Sequence, residues 1–218
     1  MYWKKNSKIL EAGCGNGRIL RYFHNRGYNI YGFDYIESAI TKLKKIDSSL
    51  RVTQQNILKS SFSNEFFDYI LSFGLYHNLK MKNLQIAFKE THRILKHNGK
   101  LCLSFRADNF QNYLNDYSVN LKTTNNKNFH KLNLKKKELL NLLFESKFEV
   151  NEFYYVQNMP FLYKFRFFRH SSHKKFDESI ARKEGYRLNF FGNFLQKCLI
   201  NLASPIFCNV YVVICKKI

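Results

Sequence analysis

Acidic residues and prolines are both scarce in this sequence of 218 residues. It has 16 Asp and Glu against 36 Lys and Arg, a formal net charge of +20, and only two prolines. No run reaches the roughly 20 apolar residues that a membrane-spanning helix needs, and no internal repeat is apparent. Because residues 1–8 are charged rather than apolar, we expect no signal peptide and a cytoplasmic protein.

The five cysteines lack the patterns of disulfide frameworks and metal sites. Their number is odd, and none forms a C-x-x-C pair. No group of His, Cys and Asp has the spacing of metal ligands. We therefore expect reduced, buried thiols and no metal.

The excess of positive charge favours anionic partners such as RNA, lipid phosphate or a phosphorylated substrate. Lys, Asn, Phe, Ile and Tyr are all abundant, and a compositional bias of that kind would raise lysine without any functional meaning. The charge alone leaves both interpretations open.

The most informative stretch covers residues 9–18, with the sequence Ile-Leu-Glu-Ala-Gly-Cys-Gly-Asn-Gly-Arg. It predicts a strand, a tight glycine loop and a helix whose first N–H groups are unpaired. A dinucleotide fingerprint G-x-G-x-x-G starting at Gly13 would need a third glycine where Arg18 stands. An acid at the strand end, Glu11, also suits a ligand with an ammonium group better than a pyrophosphate.

Predicted strands alternate with amphipathic helices through the first half of the sequence, which indicates an α/β protein with a parallel, doubly wound sheet. The strands are predicted at residues 9–11, 29–33, 51–55, 67–73 and 100–105. Ligands of such sheets bind at the carboxyl ends of the strands. Residues 107–134 are polar with few clear periods. A helix at 135–146, a strand at 149–156, a long segment at 158–204 and a last strand at 209–215 follow.

Several of these stretches resemble the class I S-adenosylmethionine (SAM)-dependent methyltransferases, in particular the small-molecule enzymes of ubiquinone and menaquinone biosynthesis. Residues 9–18 resemble motif I, residues 31–34 resemble motif II, and residues 67–77 resemble the fourth strand with its following loop. The resemblance implies one domain over residues 1–218, with a Rossmann-like sheet of seven strands, mostly parallel with an antiparallel last strand. It implies a cofactor-binding half, 1–106, and a substrate-side half, 107–218, with a helical and aromatic insertion at 158–204 before the last strand.

The resemblance also implies S-adenosylmethionine as the cofactor. The residues implied to bind it are Glu11, Gly13, Gly15, Gly17, Asp34, Tyr35, Asn56, Ile57 and Ser72. Asp34 would accept from both ribose hydroxyls, although alone it would pass for a helix N-cap. Asn56 replaces a family aspartate that accepts from the adenine amino group, so the charge is missing there. Tyr35 and Ile57 would form the apolar walls of the adenine pocket. A role of both residues in core packing is nearly as good an interpretation.

His77 is the best-placed candidate for a general base, since it follows the fourth strand and a hydroxyl nucleophile needs a base near the working pH. A loop histidine that only packs is the alternative. Tyr76, Arg106 and Asp108 are weaker candidates for the substrate site. Arg93 is interpreted as a surface or ion-pair residue.

Two motifs of nucleic-acid methyltransferases are absent: a Pro-Pro-aromatic motif after strand four and a cysteine next to proline. We therefore expect methyl transfer to an oxygen, less readily to nitrogen or carbon, of a small, lipid-linked or glycan acceptor. An RNA (tRNA) methyltransferase is the first alternative, supported by the charge. A catalytically weak SAM-binding scaffold is the second, supported by the short N-terminus and Asn56.

The segment 161–176 interleaves aromatic with basic residues inside the insertion. We expect it to form part of a cap over the acceptor pocket, and peripheral membrane contact is a further possibility. The alternative is a lid whose aromatics pack on the core while its charges face water. The sequence leaves the oligomeric state open.

Overall fold

The computed structural model describes residues 6–120, 131–157, 159–171 and 186–218. The strands are β1 (Ile9–Ala12), β2 (Ile30–Asp34), β3 (Arg51–Gln54), β4 (Phe67–Phe73), β5 (Leu95–Arg106), β6 (Phe148–Val156) and β7 (Val210–Lys217). The helices are α1 (Arg18–His24), α2 (Glu37–Ile46), α3 (Met81–Ile94), α4 (Phe110–Asn120), α5 (Lys136–Glu145) and α6 (Phe190–Phe207). Short 3₁₀ helices lie at Tyr76–Asn78, Phe161–Lys164 and Arg166–Phe168.

The seven strands form one sheet in the order β3-β2-β1-β4-β5-β7-β6. The pairs from β3 to β5 are parallel. Strand β7 is antiparallel to both neighbours, as backbone bonds from Ala107 N to Asn209 O and from Ile218 N to Lys147 O require. The predicted seven-stranded, mostly parallel sheet with an antiparallel last strand is therefore confirmed.

The strand order reverses between β1 and β4, because successive connections leave β1 toward opposite edges of the sheet. In doubly wound sheets the crevice at such a reversal opens at the carboxyl ends of the strands and receives the ligand. The ends of β1, β2, β3 and β4 thus mark where a site should be sought.

Strand β1 is buried along its whole length, as its nearly continuous apolar sequence predicts for a central parallel strand. On one face of the sheet, helices α1 and α2 complete a core with the strands. Its buried members include Ile9, Leu20, Ile30, Leu43, Val52 and Leu71. This packing fixes the loop between β1 and α1.

Strand β5 begins earlier than the sequence indicated. Helix α3 ends at Ile94, and β5 pairs with β4 at Leu95 before a register shift that resumes pairing at Lys100. Asn98, with φ of 60°, lets the backbone bulge out between these pairs. Asn98 and Gly99 therefore lie inside the strand and not at the end of a helix.

Contacts divide the chain into two compact units. The first unit contains Met1–Phe105, Phe129–Phe153 and Val212–Ile218, and the second contains Arg106–Asn128 and Tyr154–Tyr211. The predicted halves 1–106 and 107–218 differ from these units, because segments late in the chain return to the first unit. The insertion 158–204 includes residues outside the described part of the chain, Lys174, Lys175 and Phe176 among them.

Side-chain amides that bond backbone carbonyls connect several segments of the second unit. Asn112 Nδ2 donates to Ala107 O at 2.7 Å and to Asn209 O at 2.8 Å, and Gln111 Nε2 donates to Met159 O at 2.8 Å. Gln111 and Asn112 are buried. They belong to α4, a helix that we did not predict because residues 107–134 are polar.

None of the helices in the described residues has the length and hydropathy needed to cross a membrane. All five cysteines carry free thiols. No cluster of His, Cys, Asp and Glu within the described ranges could hold a metal ion.

Candidate functional site

The loop between β1 and α1 depends on three glycines in the left-handed region. Gly13, Gly15 and Gly17 have φ of 74°, 48° and 65°, which side-chain-bearing residues seldom adopt. The loop is fastened to β2, because the N–H groups of Gly13 and Cys14 both donate to Phe33 O at 2.9 Å. Burial raises the pKa of the Cys14 thiol to about 12, so the thiol in this loop stays protonated.

The three glycines differ in what surrounds them. A Cβ on Gly17 would lie 2.6 Å from a methyl carbon of Leu43, and one on Gly13 would lie 3.1 Å from Cβ of Leu75. A Cβ on Gly15 would meet nothing within 4 Å. Gly13 and Gly17 are therefore needed for packing, whereas Gly15 leaves a free space at the carboxyl end of β1.

Glu11 lies beneath the loop and is only 5% exposed. Its Oε2 accepts from Leu20 N in the first turn of α1 at 2.7 Å. Burial raises the pKa of this carboxyl from 4.5 to about 7, against the lowering effects of the Leu20 bond and of Arg18. Glu11 thus holds strand and helix together.

Asp34, at the end of β2, reaches across to the glycine loop. Its Oδ2 accepts from Gly15 N at 2.8 Å and its Oδ1 from Ile36 N at 3.0 Å. A carboxylate has about four acceptor positions, so two remain for a ligand. The side chain is half-buried, which leaves it accessible beside the free space at Gly15.

The candidates for the adenine slot separate by burial. Tyr35 is 69% exposed and Asn56 is exposed, while Ile57 is 4% exposed. Asn56 Oδ1 accepts from Leu58 N at 2.9 Å in a local turn. Tyr35 and Asn56 are accessible at the strand ends, whereas Ile57 contributes mainly to the interior.

The end of β4 turns at Gly74, whose φ is 93°. Gly74 N donates to Ser104 Oγ of β5 at 3.1 Å. Ser72 is fully buried and faces inward, so its backbone, rather than its hydroxyl, is what a ligand at this edge would meet.

Tyr76 is also fully buried, and its hydroxyl bonds Thr91 Oγ1 at 2.7 Å. The sequence had made Tyr76 a weak candidate for the substrate site. That interpretation was wrong, because its ring fills the core beside Phe88.

His77 is half-buried in the 3₁₀ helix after β4. Its ring packs edge-on against Phe105, with centroids 6.2 Å apart, and its carbonyl accepts from Leu132 N at 2.7 Å. The first contact places the ring beside Phe105, and the second ties the backbone of the 3₁₀ helix to Leu132. Whether His77 acts as a base stays a prediction.

The remaining candidates have partners of their own or lie apart. Arg106 Nη2 donates to both carboxylate oxygens of Asp116, at 2.7 and 3.0 Å, within the second unit. Asp108 is exposed. Arg93 pairs with Glu90 at 2.7 Å, so its interpretation as an ion-pair residue is confirmed.

Two residues that shape this edge escaped prediction. Leu75 packs against Gly13, and Ser104 anchors Gly74. A signal for Ser104 was present, since it is a polar residue within the apolar stretch at the end of β5. Leu75 looks like any apolar loop residue and offered none.

Comparison with known families identifies the first unit. Residues 10–103 match the model of a methyltransferase domain. This stretch, less than half of the chain, is therefore similar to a methyltransferase domain. The match covers the glycine loop, Asp34 and the turn at Gly74.

Individual relatives agree with this assignment. An uncharacterized methyltransferase of Schizosaccharomyces pombe is 35% identical over 81 residues, which cover 35% of this chain and 55% of the relative. A ubiquinone biosynthesis O-methyltransferase of Pseudomonas aeruginosa is 26% identical over 112 residues, 49% of this chain and 47% of that protein. A probable human tRNA methyltransferase 9B is 31% identical over 101 residues, 46% of this chain and 21% of that protein. The chain thus spans about half the length, or less, of these relatives.

The whole fold also has counterparts. A SAM-dependent methyltransferase from Methanosarcina mazei superposes with a TM-score of 0.66 at 18% identity, covering 100% of this chain and 95% of the other. At that identity the likeness concerns the fold. The domain implies S-adenosylmethionine as cofactor, and the residues of the first unit fit it: the backbone at Gly15 borders open space, and Asp34 has acceptor positions for ribose hydroxyls.

Proposed function

We propose that this chain is a methyltransferase that uses S-adenosylmethionine to methylate an oxygen of a small, lipid-linked or glycan acceptor. The observation that carries the proposal is the pairing of Gly15 with Asp34: a backbone without a side chain faces free space, and a carboxylate stands next to it. Both belong to the matched methyltransferase domain.

The glycine loop, Asp34 and the loop after β4 would hold the cofactor from three sides. Asp34 would accept from the ribose hydroxyls, Tyr35 and Asn56 would border the adenine, and the backbone from Ser72 to Gly74 would meet the amino-acid portion. S-adenosylmethionine supplies a methyl group on a positively charged sulfur, which leaves as a neutral thioether. The chain therefore has mainly to align the acceptor and exclude water.

An oxygen acceptor must also lose its proton. His77 is the group proposed to take it, because an imidazole titrates near neutral pH and this ring packs beside Phe105 just after β4. The O-methyltransferase among the relatives supports an oxygen acceptor without identifying it.

An RNA acceptor is the second candidate. The net charge of +20 supports it, as does the relative described as a probable tRNA methyltransferase. RNA binding that weakens steeply with added salt, together with methyl incorporation into tRNA, would favour this candidate.

Binding of the cofactor is tested by calorimetric titration with S-adenosylhomocysteine. Gly15→Val should abolish binding, because its side chain would occupy the open space that the ligand needs and would strain the backbone at positive φ. Gly27→Val is the matched control: Gly27 also has positive φ, 74°, and nothing within 4 Å of its Cβ position, so it shares the backbone strain but lies at the end of α1. Equal affinities in both variants would overturn the site.

The reaction is tested with cofactor labelled in the methyl group. The label is followed into lipid extract, glycan, small-molecule and RNA fractions of a cell lysate. Incorporation into one of the first three supports the proposal, and incorporation into RNA alone supports the second candidate. Tight cofactor binding with no incorporation anywhere would instead favour the SAM-binding scaffold.

A further inference from the structure

An exposed apolar strip runs along α6 in the second unit. Phe190, Phe194 and Leu202 are 90%, 61% and 86% exposed, and Phe191 is exposed as well. At 100° per residue these four side chains fall within one arc of about 120°. Buried Gly192 and Gln196 lie on the opposite side of the helix.

The opposite side already supplies the packing of this helix. A Cβ on Gly192 would lie 2.8 Å from Phe168 O, and Gln196 Oε1 accepts from Leu162 N at 2.9 Å. Asn189 caps the helix by accepting from Gly192 N at 2.7 Å. The apolar strip is therefore a side of the helix distinct from the one that packs against the rest of the unit.

Residues of the preceding 3₁₀ helix extend the strip. Phe168 stacks on Phe191 with ring centroids 6.1 Å apart, and Phe167 packs edge-on against Phe168 at 5.3 Å. Phe167 itself is 75% exposed. Two elements thus present one continuous patch of large apolar side chains, and patches of this kind mark interaction sites in folded proteins.

Basic residues accompany the strip in the described part of the chain. Within the described residues of the range 154–211, Lys and Arg occur at five positions, whereas Asp and Glu do not occur. Three of the basic residues, Arg166, Arg187 and Lys197, are exposed. Lys197 lies on α6 itself, beside Phe190 and Phe194 in the helical projection.

We propose that this strip docks on the surface of a bilayer containing anionic lipids. Phenylalanine and leucine side chains on one side of a helix enter the boundary between headgroups and acyl chains, while flanking Lys and Arg attract lipid phosphate. The aromatic residues alone would also suit stacking of single-stranded RNA bases. Leu202 offers no ring for stacking, and its 86% exposure favours acyl chains.

A second copy of the chain fits this surface less well. Two copies that joined through the strip would bring Arg166, Arg187 and Lys197 of each toward the same residues of the other. Like charges placed across an interface oppose association. An anionic bilayer, by contrast, complements both the apolar and the basic parts of the surface.

The test is flotation of the purified full-length chain with vesicles of phosphatidylcholine, with or without 30 mol% phosphatidylglycerol, in roughly 0.1 M salt. We expect binding to the anionic vesicles. Substituting serine at Phe190, Phe194 and Leu202 together should lower the partition coefficient at least about tenfold. Substituting serine at Arg166, Arg187 and Lys197 should lower it about 100-fold, since each basic residue near an anionic surface contributes about fivefold.

Matched controls come from the first unit. Phe144→Ser removes a phenylalanine that is 75% exposed, and serine at Lys42, Lys44 and Lys45 removes three exposed charges of α2. Both controls should bind vesicles as the unchanged chain does. Affinity for S-adenosylhomocysteine should stay the same in every variant, so loss of lipid binding is separable from failure of the proposed cofactor site.

A gentler substitution covers the case in which the triple serine variants fail to fold. Tryptophan emission from Phe190→Trp should shift to the blue with anionic vesicles and be quenched by brominated acyl chains. Phe144→Trp should show neither change. Trp3 contributes the same background to both variants.

Three results would overturn the proposal. The first is no flotation of the unchanged chain with anionic vesicles. The second is binding that the charge variant loses while the apolar variant retains it, which would make the contact electrostatic only. The third is evidence that the strip binds another partner. Such evidence would be a dimer in sedimentation equilibrium that the apolar variant dissociates, or RNA binding that the apolar variant abolishes.

Discussion

The two compact units reach a defined structure by different means. In the first unit, burial of apolar strands fixes the framework, and three glycines at positive φ give the loop its shape. In the second unit, amide side chains bond backbone carbonyls, as Asn112 does with Ala107 and Asn209. The comparison teaches that carboxylates and a hydroxyl bond backbone N–H groups at the ligand edge, whereas amide side chains bond backbone carbonyls in the second unit.

The surfaces of the units differ accordingly. The first unit has an accessible carboxylate, Asp34, at the ends of buried strands. The second has large exposed aromatic side chains, Phe167 and Phe190 among them, among basic residues. Predictions can therefore be made that affect one unit and leave the other unchanged.

The largest effect is expected for Asp34→Ala. Loss of two charge-assisted hydrogen bonds of about 1.5–3 kcal/mol each should weaken binding of S-adenosylhomocysteine by roughly 10²- to 10⁴-fold. Asp47→Ala is the control, since Asp47 also accepts from the N–H two residues on, Ser49 N at 2.9 Å. If calorimetry showed that Asp34→Ala binds S-adenosylhomocysteine as tightly as the unchanged chain, Asp34 would not be part of a cofactor site in the first unit.

The next effect is a dependence of the free energy of unfolding on pH, caused by Glu11. Because the folded pKa, about 7, lies above the ordinary 4.5, the folded state keeps a proton that the unfolded state loses as pH rises through this window. The free energy of unfolding should therefore fall by about 3 kcal/mol between pH 4.5 and 7 because of this group.

Glu11→Gln should lack that contribution, since an amide does not ionise and still accepts from Leu20 N. The measurement is urea unfolding of both proteins at pH 5 and pH 8. The free energy of unfolding of Glu11→Gln is subtracted from that of the unchanged protein at each pH, so that the contributions of all other titrating groups cancel. If this difference in the free energy of unfolding were the same at both pH values, Glu11 would have an ordinary pKa in the folded protein.

His77→Ala should lower turnover about 100-fold, the lower range for a general base, while the affinity for S-adenosylhomocysteine and the melting temperature stay nearly constant. His92→Ala is the matched control, because His92 also packs edge-on against a phenylalanine, Phe148, at 5.6 Å. A large loss of stability in His77→Ala with a proportionate loss of activity would indicate a packing role instead.

The smallest effect is expected for Gln196→Leu in the second unit. It leaves Leu162 N without its acceptor, which costs about 1–3 kcal/mol for a buried group. Hydrogen exchange should accelerate around Leu162, while amides of β1 and β4 exchange as before. Faster exchange throughout both units would show that they unfold as one, contrary to the comparison.

The sequence predicted the first unit well because its determinants are local. Alternating strands and helices, the spacing of Gly13, Gly15 and Gly17, and Asp34 after the next strand all appear as short patterns. Burial inside that framework was harder to predict. The sequence made Tyr76 a candidate for the substrate site, but its side chain is buried in the core, where its hydroxyl bonds Thr91 of α3.

The second unit was predicted poorly because its determinants are long-range. Helix α4 is rich in Asn and polar residues, and its stability depends on carbonyls at Met159 and Asn209, far along the chain. Pro205 lies within α6, beyond a kink at Ala203. Neither the carbonyl partners of α4 nor the kink in α6 can be recognised from the residues next to them in the sequence.

The position of β7 between β5 and β6 has a consequence for biosynthesis. In chain order β6 comes first, yet in the sheet it touches only β7. Until residues 210–217 have been made, β5 keeps an open edge with unpaired N–H and C=O groups, and β6 has no neighbour to join. At bacterial and eukaryotic rates of translation, this interval lasts roughly 5–20 s after β5 is made. An unpaired edge invites pairing with other nascent chains, so the order of the strands makes this period the vulnerable phase of the protein's synthesis.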